Sequence, residues 1–161
     1  MSLANKYRPQ TFDEMIGQEH IIDILKAQML ARDTVHHNYL LFWPRGTGKT
    51  TSARLIAKGL NCLNLQNGNP CNHCANCELI NTGTSLDYVE IDAASHTGVD
   101  NIREEIIDKV LYPPTALRKK IYVIDEVHML SKGAFNALLK TIEEPKSNVC
   151  FIFATTEIIE R

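Results

Sequence analysis

Residues 38 to 50 read NYLLFWPRGTGKT. The apolar run from 38 to 43 is a buried strand in outline, and Pro44 ends it in a glycine-rich turn. From Lys49 to about Gly59 the residues Ala53, Ile56, Ala57 and Leu60 fall on one helical face. Strand, turn and helix in this order predict a phosphate-binding loop. Backbone N–H groups of the turn and the helix N-terminus make a concave, positive site. Pro44-Arg45-Gly46-Thr47-Gly48-Lys49-Thr50 carries most of the G-x-x-x-x-G-K-[ST] pattern. Lys49 is expected to reach the β- and γ-phosphates, and Thr50 to put its hydroxyl on Mg²⁺. Arg45, Gly46, Thr47, Gly48 and Thr51 are the other expected cofactor contacts of this loop. One position departs: Trp43 stands where the pattern asks for its first glycine. A glycine there reaches positive φ and leaves room, and tryptophan does neither cheaply.

A second motif lies downstream. Ile121-Tyr122-Val123-Ile124 is an apolar strand that ends in Asp125-Glu126, the Walker B arrangement. Asp125 is expected to hold Mg²⁺ and Glu126 to polarise the attacking water as general base. Adjacent strand residues face opposite ways, so both can serve one site only where the strand ends. Asp125-Glu126-Val127-His128 also spells the DExH motif of some helicases, which keeps a nucleic-acid helicase as an alternative; no other helicase motif accompanies it. His128 itself reads as a turn residue. A further strand, 149 to 154, ends at Thr155 and Thr156. A polar residue here would lie between the two motifs and contact the γ-phosphate or the water, with Thr156 preferred over Thr155.

Outward from these motifs, helices and strands alternate. Helices are predicted over 19–31, 99–110 and 132–143, the last with Ser131 as N-cap and Phe135, Leu138, Leu139 and Ile142 as its apolar stripe. Strands are predicted over 86–91 and 120–124. Near-continuous apolar strands separated by helices imply an α/β fold: a parallel sheet with helices on both faces.

Residues 61 to 84 interrupt the alternation. They read as a loop-like insertion rich in Cys, Asn, Gly and Pro. Cys62, Cys71, Cys74 and Cys77 follow a C-x8-C-x2-C-x2-C spacing that suits one structural Zn²⁺, since short x2 loops let successive thiolates face one metal. Four thiolates leave no open position for catalysis. Disulfides and an iron–sulfur cluster are the alternatives, and His73 could replace one cysteine. Cys150 reads as a core residue.

The composition, 44% apolar and 22% charged with a net charge of -2, is that of a globular protein. It does not advertise a nucleic-acid binder. No signal peptide or membrane span is visible, so the expected location is cytoplasmic.

Six segments together resemble the gamma/tau subunits of bacterial DNA polymerase III, the ATPases of the sliding-clamp loader. They are KYRPQTFDEMIGQEH at 6–20, PRGTGKTTSARLIAKGLNC at 44–62, the four-cysteine module, VEIDAASHTGVDNIREE at 89–105, YVIDEVHMLSKGAFNALLKTIEEP at 122–145 and FIFATTE at 151–157. The resemblance implies an AAA+ P-loop NTPase domain over 1–161, with strand order 5-1-4-3-2 and a zinc module inserted at 61–84. It implies that Lys49, Glu126 and Thr156 are catalytic, with Thr156 as the sensor, and that Thr50 and Asp125 hold Mg²⁺. Tyr7, Arg8, Pro9 and Ile16 resemble the part that packs on adenine. The implied partners are other clamp-loader subunits, the sliding clamp and, through the full assembly, primer-template DNA. Phe42-Trp43 and Ile159-Glu160-Arg161 depart from the family pattern. The family's fifth strand, its Ser-Arg-Cys arginine motif, its helical lid and its oligomerisation domain would lie beyond residue 161. The resemblance thus describes a fragment with an open sheet edge at 38–43, monomeric or associating through that edge, and nearly inactive alone. A non-catalytic scaffold like the delta-prime subunit is the second reading, which Trp43 favours and Gly48-Lys49-Thr50 with Glu126 disfavours.

The loop reading carries its own test. An ATP analogue with Mg²⁺ is expected to bind in calorimetry, and Trp43→Gly is expected to tighten that binding. No heat from this chain with heat restored by Trp43→Gly contradicts binding by the sequence as it stands.

Overall fold

Four of the apolar runs form strands: β1 (Tyr39–Phe42), β2 (Tyr88–Asp92), β3 (Lys120–Asp125) and β4 (Val149–Thr155). All pair in parallel, in the order β1-β4-β3-β2. Over the four described strands this agrees with the expected 5-1-4-3-2 order. The computed structural model describes residues 8–15, 19–34, 38–42, 48–95, 102–143 and 148–156, without the side chains of Lys49 and Arg103. Tyr7, Ile16 and the turn from Trp43 to Thr47, with Arg45 and Gly46, lie outside the described residues.

Side-chain alternation along the strands builds two cores. Ile121 and Val123 of β3 and Cys150, Ile152 and Ala154 of β4 face one way. There they meet α1 (Glu19–Leu30) and the Ala53, Ile56, Ala57 and Leu60 stripe of α2 (Lys49–Asn61). Tyr122 and Ile124 of β3 and Phe151 of β4 face the other way, against Ile102, Ile106 and Val110 and against Ala134 and Leu138 of α4 (Lys132–Glu143). Helices therefore cover both faces, as a parallel sheet requires. Cys150 is buried in the first core, in agreement with its reading from sequence. β1 pairs with β4 alone among the described residues and leaves Leu40 and Phe42 62% and 48% exposed, the open edge expected at this strand. None of the described helices is long and apolar enough to cross a membrane.

Three expectations are corrected. The insertion is not wholly loop: α3 (Ala75–Thr82) forms inside it, opened by Cys74, whose sulfur accepts from the Cys77 N–H, and closed by Gly83 at φ +70°. Sulfur capping has no signature in ordinary N-cap preferences, so the sequence hides this helix. Of the helix expected over 99–110, residues 99–101 lie outside the described residues and Ile102 is helical, but Arg103–Ile107 is a π-helical turn followed by turns; Ile102, Ile106 and Val110 are buried as expected. Leu139 is 43% exposed, so α4 buries a narrower stripe than predicted. Its N-cap is as read, with the Ala134 N–H on Ser131 Oγ at 3.1 Å.

Asp87, just before β2, ties the loop that leads into β3. Its carboxylate accepts from the N–H groups of Thr115 (2.8 Å), Ala116 (2.7 Å) and Leu117 (2.9 Å). Burial works against its ionisation, but the N–H donors of Leu117, Thr115 and Ala116 outweigh burial and hold the carboxyl below its ordinary value. Asp87→Ala strands these donors and is expected to cost roughly 2–4 kcal/mol in denaturant unfolding. A carboxyl depressed in the folded state stabilises above its unfolded value. In the parent, that contribution should fade as pH falls below about 4. The pH profile of Asp87→Ala should lack this acid-side loss.

Candidate functional site

Parallel pairing brings the carboxyl ends of β2, β3 and β4 to one edge of the sheet, in register at Asp92↔Asp125 and Asp125↔Ala154. The start of α2 points at the same edge. Between them lies a cleft of about 200 Å³, to which Thr50 contributes from α2, Glu90 and Asp92 from β2, and Asp125 from β3. Gly48 is the residue before α2, at φ +88° and ψ 26°. A Cβ there would meet nothing within 4 Å among the described residues, and the left-handed backbone by itself calls for glycine. Thr50 and Asp125, predicted from separate motifs, thus line one cavity. A hydroxyl and a carboxylate are hard oxygen donors that suit Mg²⁺. Glu90 and Asp92 join them from a strand whose motif carries no phosphate signal; the Glu90 carboxylate is paired with the Arg54 guanidinium at 3.1 Å, so Asp92 is the acid that adds charge beside Asp125.

Glu126 follows β3 in a left-handed conformation, φ 57° and ψ 46°. That turn answers the alternation problem, because the chain leaves the strand geometry between the two carboxylates. A non-glycine residue here costs about 1–3 kcal/mol unless its surroundings hold it. Thr156 Oγ1 donates to Glu126 Oε2 at 3.3 Å, and His128 Nε2 lies 3.5 Å from the same oxygen. The other ring nitrogen, Nδ1, shares a 2.8 Å hydrogen bond with Thr155 Oγ1. Thr156 is therefore the strand-end threonine that touches Glu126, and Thr155 is reached through the imidazole. This placement corrects the expectation that His128 is only a turn residue. The 3₁₀ turn Val127–Met129 carries its ring back over the strand ends, a geometry with no signal in the motif spelling.

Farther along α2 a second cleft, about 310 Å³, has Arg8 and Pro9 on one side and Thr51, Leu55 and Lys58 on the other. Arg8 and Pro9, expected beside the adenine, thus sit against α2.

The cysteines converge. The sulfurs of Cys62, Cys71, Cys74 and Cys77 all lie within 4.8 Å of one another, a group able to hold a metal ion. His73 is exposed and outside the group. Backbone N–H groups point at the sulfurs, among them Cys71 to Cys62 (3.2 Å), Cys74 to Cys71 (3.3 Å) and Cys77 to Cys74 (3.4 Å). Burial disfavours the Cys74 thiolate, yet the N–H groups of Leu63 and Cys77 overcome it and bring the thiol down to about 7.

Fold and site together define a parallel α/β domain with a cysteine-rich insertion. A RuvB variant from Thermotoga maritima superposes with a TM-score of 0.65 at 23% identity, over 94% of this chain and 43% of that one. A gamma-subunit-related protein of DNA polymerase III, also from Thermotoga maritima, gives 0.60 at 18% identity, over 81% and 38%. The chain belongs to the family described as DNA polymerase III, delta subunit, whose model matches residues 17–159. It is 53% identical over 155 residues to the DNA polymerase III subunit tau/gamma of Haemophilus influenzae, and 52% identical over 156 residues to subunit tau of Bacillus subtilis. These matches cover 96% and 97% of the chain but only 22% and 27% of the relatives' lengths.

The sulfur cluster predicts one thiophilic divalent ion per chain. Titration with Co²⁺ should end at one equivalent with thiolate-to-metal absorption, and Cys74→Ser should weaken binding strongly. Absence of a stoichiometric end point in the reduced parent protein contradicts it.

Proposed function

We propose that this chain is the ATP-binding and ATP-hydrolysing motor domain of a bacterial sliding-clamp loader within the DNA polymerase III assembly. The observation that carries the reading is the meeting of Thr50 and Asp125 in one cleft, with Glu126 held beside it by Thr156 and His128. The N-terminus of α2 and Gly48 would receive the triphosphate, with Lys49 on its terminal phosphates. Thr50 and Asp125 would hold Mg²⁺, which draws charge from the β- and γ-phosphates when bound. Glu126 would orient and polarise the attacking water, and Thr156, hydrogen-bonded to it, would sense the γ-phosphate. Arg8 and Pro9 would border the adenine, in company with Tyr7. Zn²⁺ fits the four-sulfur group as a closed, structural ion.

Membership in the family and the similarity to tau/gamma subunits support a role in clamp loading. On that reading the partners are the other loader subunits and the clamp, and primer-template DNA meets the domain through the assembly. An arginine supplied by a neighbouring subunit is worth ~10³–10⁵ in rate, so the chain alone should turn ATP over very slowly. The spelling of Gly48-Lys49-Thr50 and the placement of Glu126 favour the motor over a scaffold.

Glu126→Gln should bind ATP with Mg²⁺ as the parent does while losing roughly 10²-fold or more in single-turnover hydrolysis, the scale of general-base catalysis. Thr50→Ala should lose the Mg²⁺ dependence of binding. Hydrolysis unchanged by Glu126→Gln would sink the assignment of the base.

A further inference from the structure

The cysteine loop holds more than its own sulfurs. Asn69 precedes Cys71 by two residues, and Asn72 follows it directly. Asn69 Oδ1 accepts from the Phe12 N–H at 2.9 Å, and its Nδ2 donates to Asp13 Oδ2 at 2.7 Å. Asn72 Nδ2 donates to the Gln10 carbonyl at 2.8 Å. Between them the buried Lys58 ammonium of α2 donates to Gln10 Oε1 (3.0 Å) and Asn72 Oδ1 (2.7 Å). The segment Arg8–Met15 is thereby clamped from the module side, while Phe12 is fully buried in the first core.

The loop that displays these amides has a specific shape. Asn72 sits at φ 63°, a left-handed position that asparagine tolerates. Gly68, at φ +84°, lies so close to α1 that a Cβ would stand 2.7 Å from the Lys26 carbonyl oxygen. The His73 and Cys74 N–H groups both turn onto Cys71 Sγ, at 3.4 and 3.3 Å. The backbone that carries Asn72 is therefore shaped around a sulfur of the metal-binding group. An ion drawing the four sulfurs together would fix that backbone and with it both asparagines. On the far side, Arg8 and Pro9 lead straight into Gln10 and form one wall of the cleft opposite Thr51.

We infer that Asn69 and Asn72 are positioning residues through which the metal-bound cysteine loop holds the Arg8–Met15 segment in its nucleotide-receiving place, so that metal and adenine nucleotide reinforce each other's binding. The second half of this inference rests on the proposed nucleotide-binding function. Linkage makes it reciprocal: if the metal raises nucleotide affinity, the nucleotide raises metal affinity by the same factor.

The test uses the whole chain with Zn²⁺ and with ADP·Mg²⁺ as probe. It compares the parent, the metal-stripped parent and the double variant Asn69→Ala with Asn72→Gly, which keeps all four cysteines and suits the positive φ. Metal content, amide exchange at Phe12 and ADP affinity are read on each. The double variant should keep one metal per chain, exchange the Phe12 amide at least about tenfold faster, and bind ADP about 5- to 20-fold more weakly, within the range of ordinary coupling. Stripping the metal should speed Phe12 exchange and weaken ADP binding to the same extent. Asn72→Gly alone, expected to show a smaller effect in the same direction, serves if the double variant does not fold. Unchanged Phe12 exchange overturns the clamp. Faster exchange with unchanged ADP affinity overturns the linkage. If the parent binds no ADP, the nucleotide reading and the linkage fail together, and the clamp is decided by the exchange at Phe12, which needs no nucleotide.

Discussion

The parallel pairing of β3 between β2 and β4 is the constraint on which the rest depends. Because the strands run the same way, their carboxyl ends share one edge, and Asp92, Asp125 and Ala154 stand side by side in register. Each parallel connection must cross back over the sheet, so every strand end is followed by a turn and covering structure, and α2 starts from that same edge. A cleft lined by Thr50 and Asp125 is a consequence of this topology rather than a separate feature. Loss of the β3 register would scatter these residues even if every one of them were retained.

Within that frame the local backbone does the finer placement. Gly48 and Glu126 both adopt left-handed conformations, one at the head of α2 and one at the tail of β3. The first is cheap because glycine has no Cβ, and the second is strained. Thr156 and His128 converge on the Glu126 carboxylate and so hold the strained residue in a defined direction. Strain at a residue next to Asp125 is the kind of local exception that marks a working site.

Much of this is legible in the sequence, for identifiable reasons. The strands read clearly because both faces of a parallel sheet are buried, so Ile121–Ile124 and Val149–Ala154 are apolar without a break. The proposed Mg²⁺ pair, Thr50 and Asp125, reads from its two motifs because each stands at the junction of a strand or helix with its turn. Less legible are features made by tertiary contact. The ring of His128 reaches Thr155 across 27 residues of sequence, and Asn69 and Asn72 reach Phe12 and Gln10 across some 60. Helix α3 is hidden because a cysteine sulfur caps it. The cysteine module, which reads as an appendage, is part of the domain's packing: Asn76 Nδ2 donates to the Asn61 carbonyl at the end of α2, and Ile80 joins the first core.

The central claim is that Thr50 and Asp125 serve one metal–nucleotide site at the carboxyl edge of the sheet. The most direct measurement is a crystal structure of the chain with Mn²⁺ and a non-hydrolysable ATP analogue, using the anomalous signal of Mn²⁺ to locate the ion. The account predicts one anomalous peak in the cleft between Thr50 and Asp125, with the triphosphate against the start of α2. A nucleotide seated elsewhere, or a metal peak away from both side chains, would contradict it.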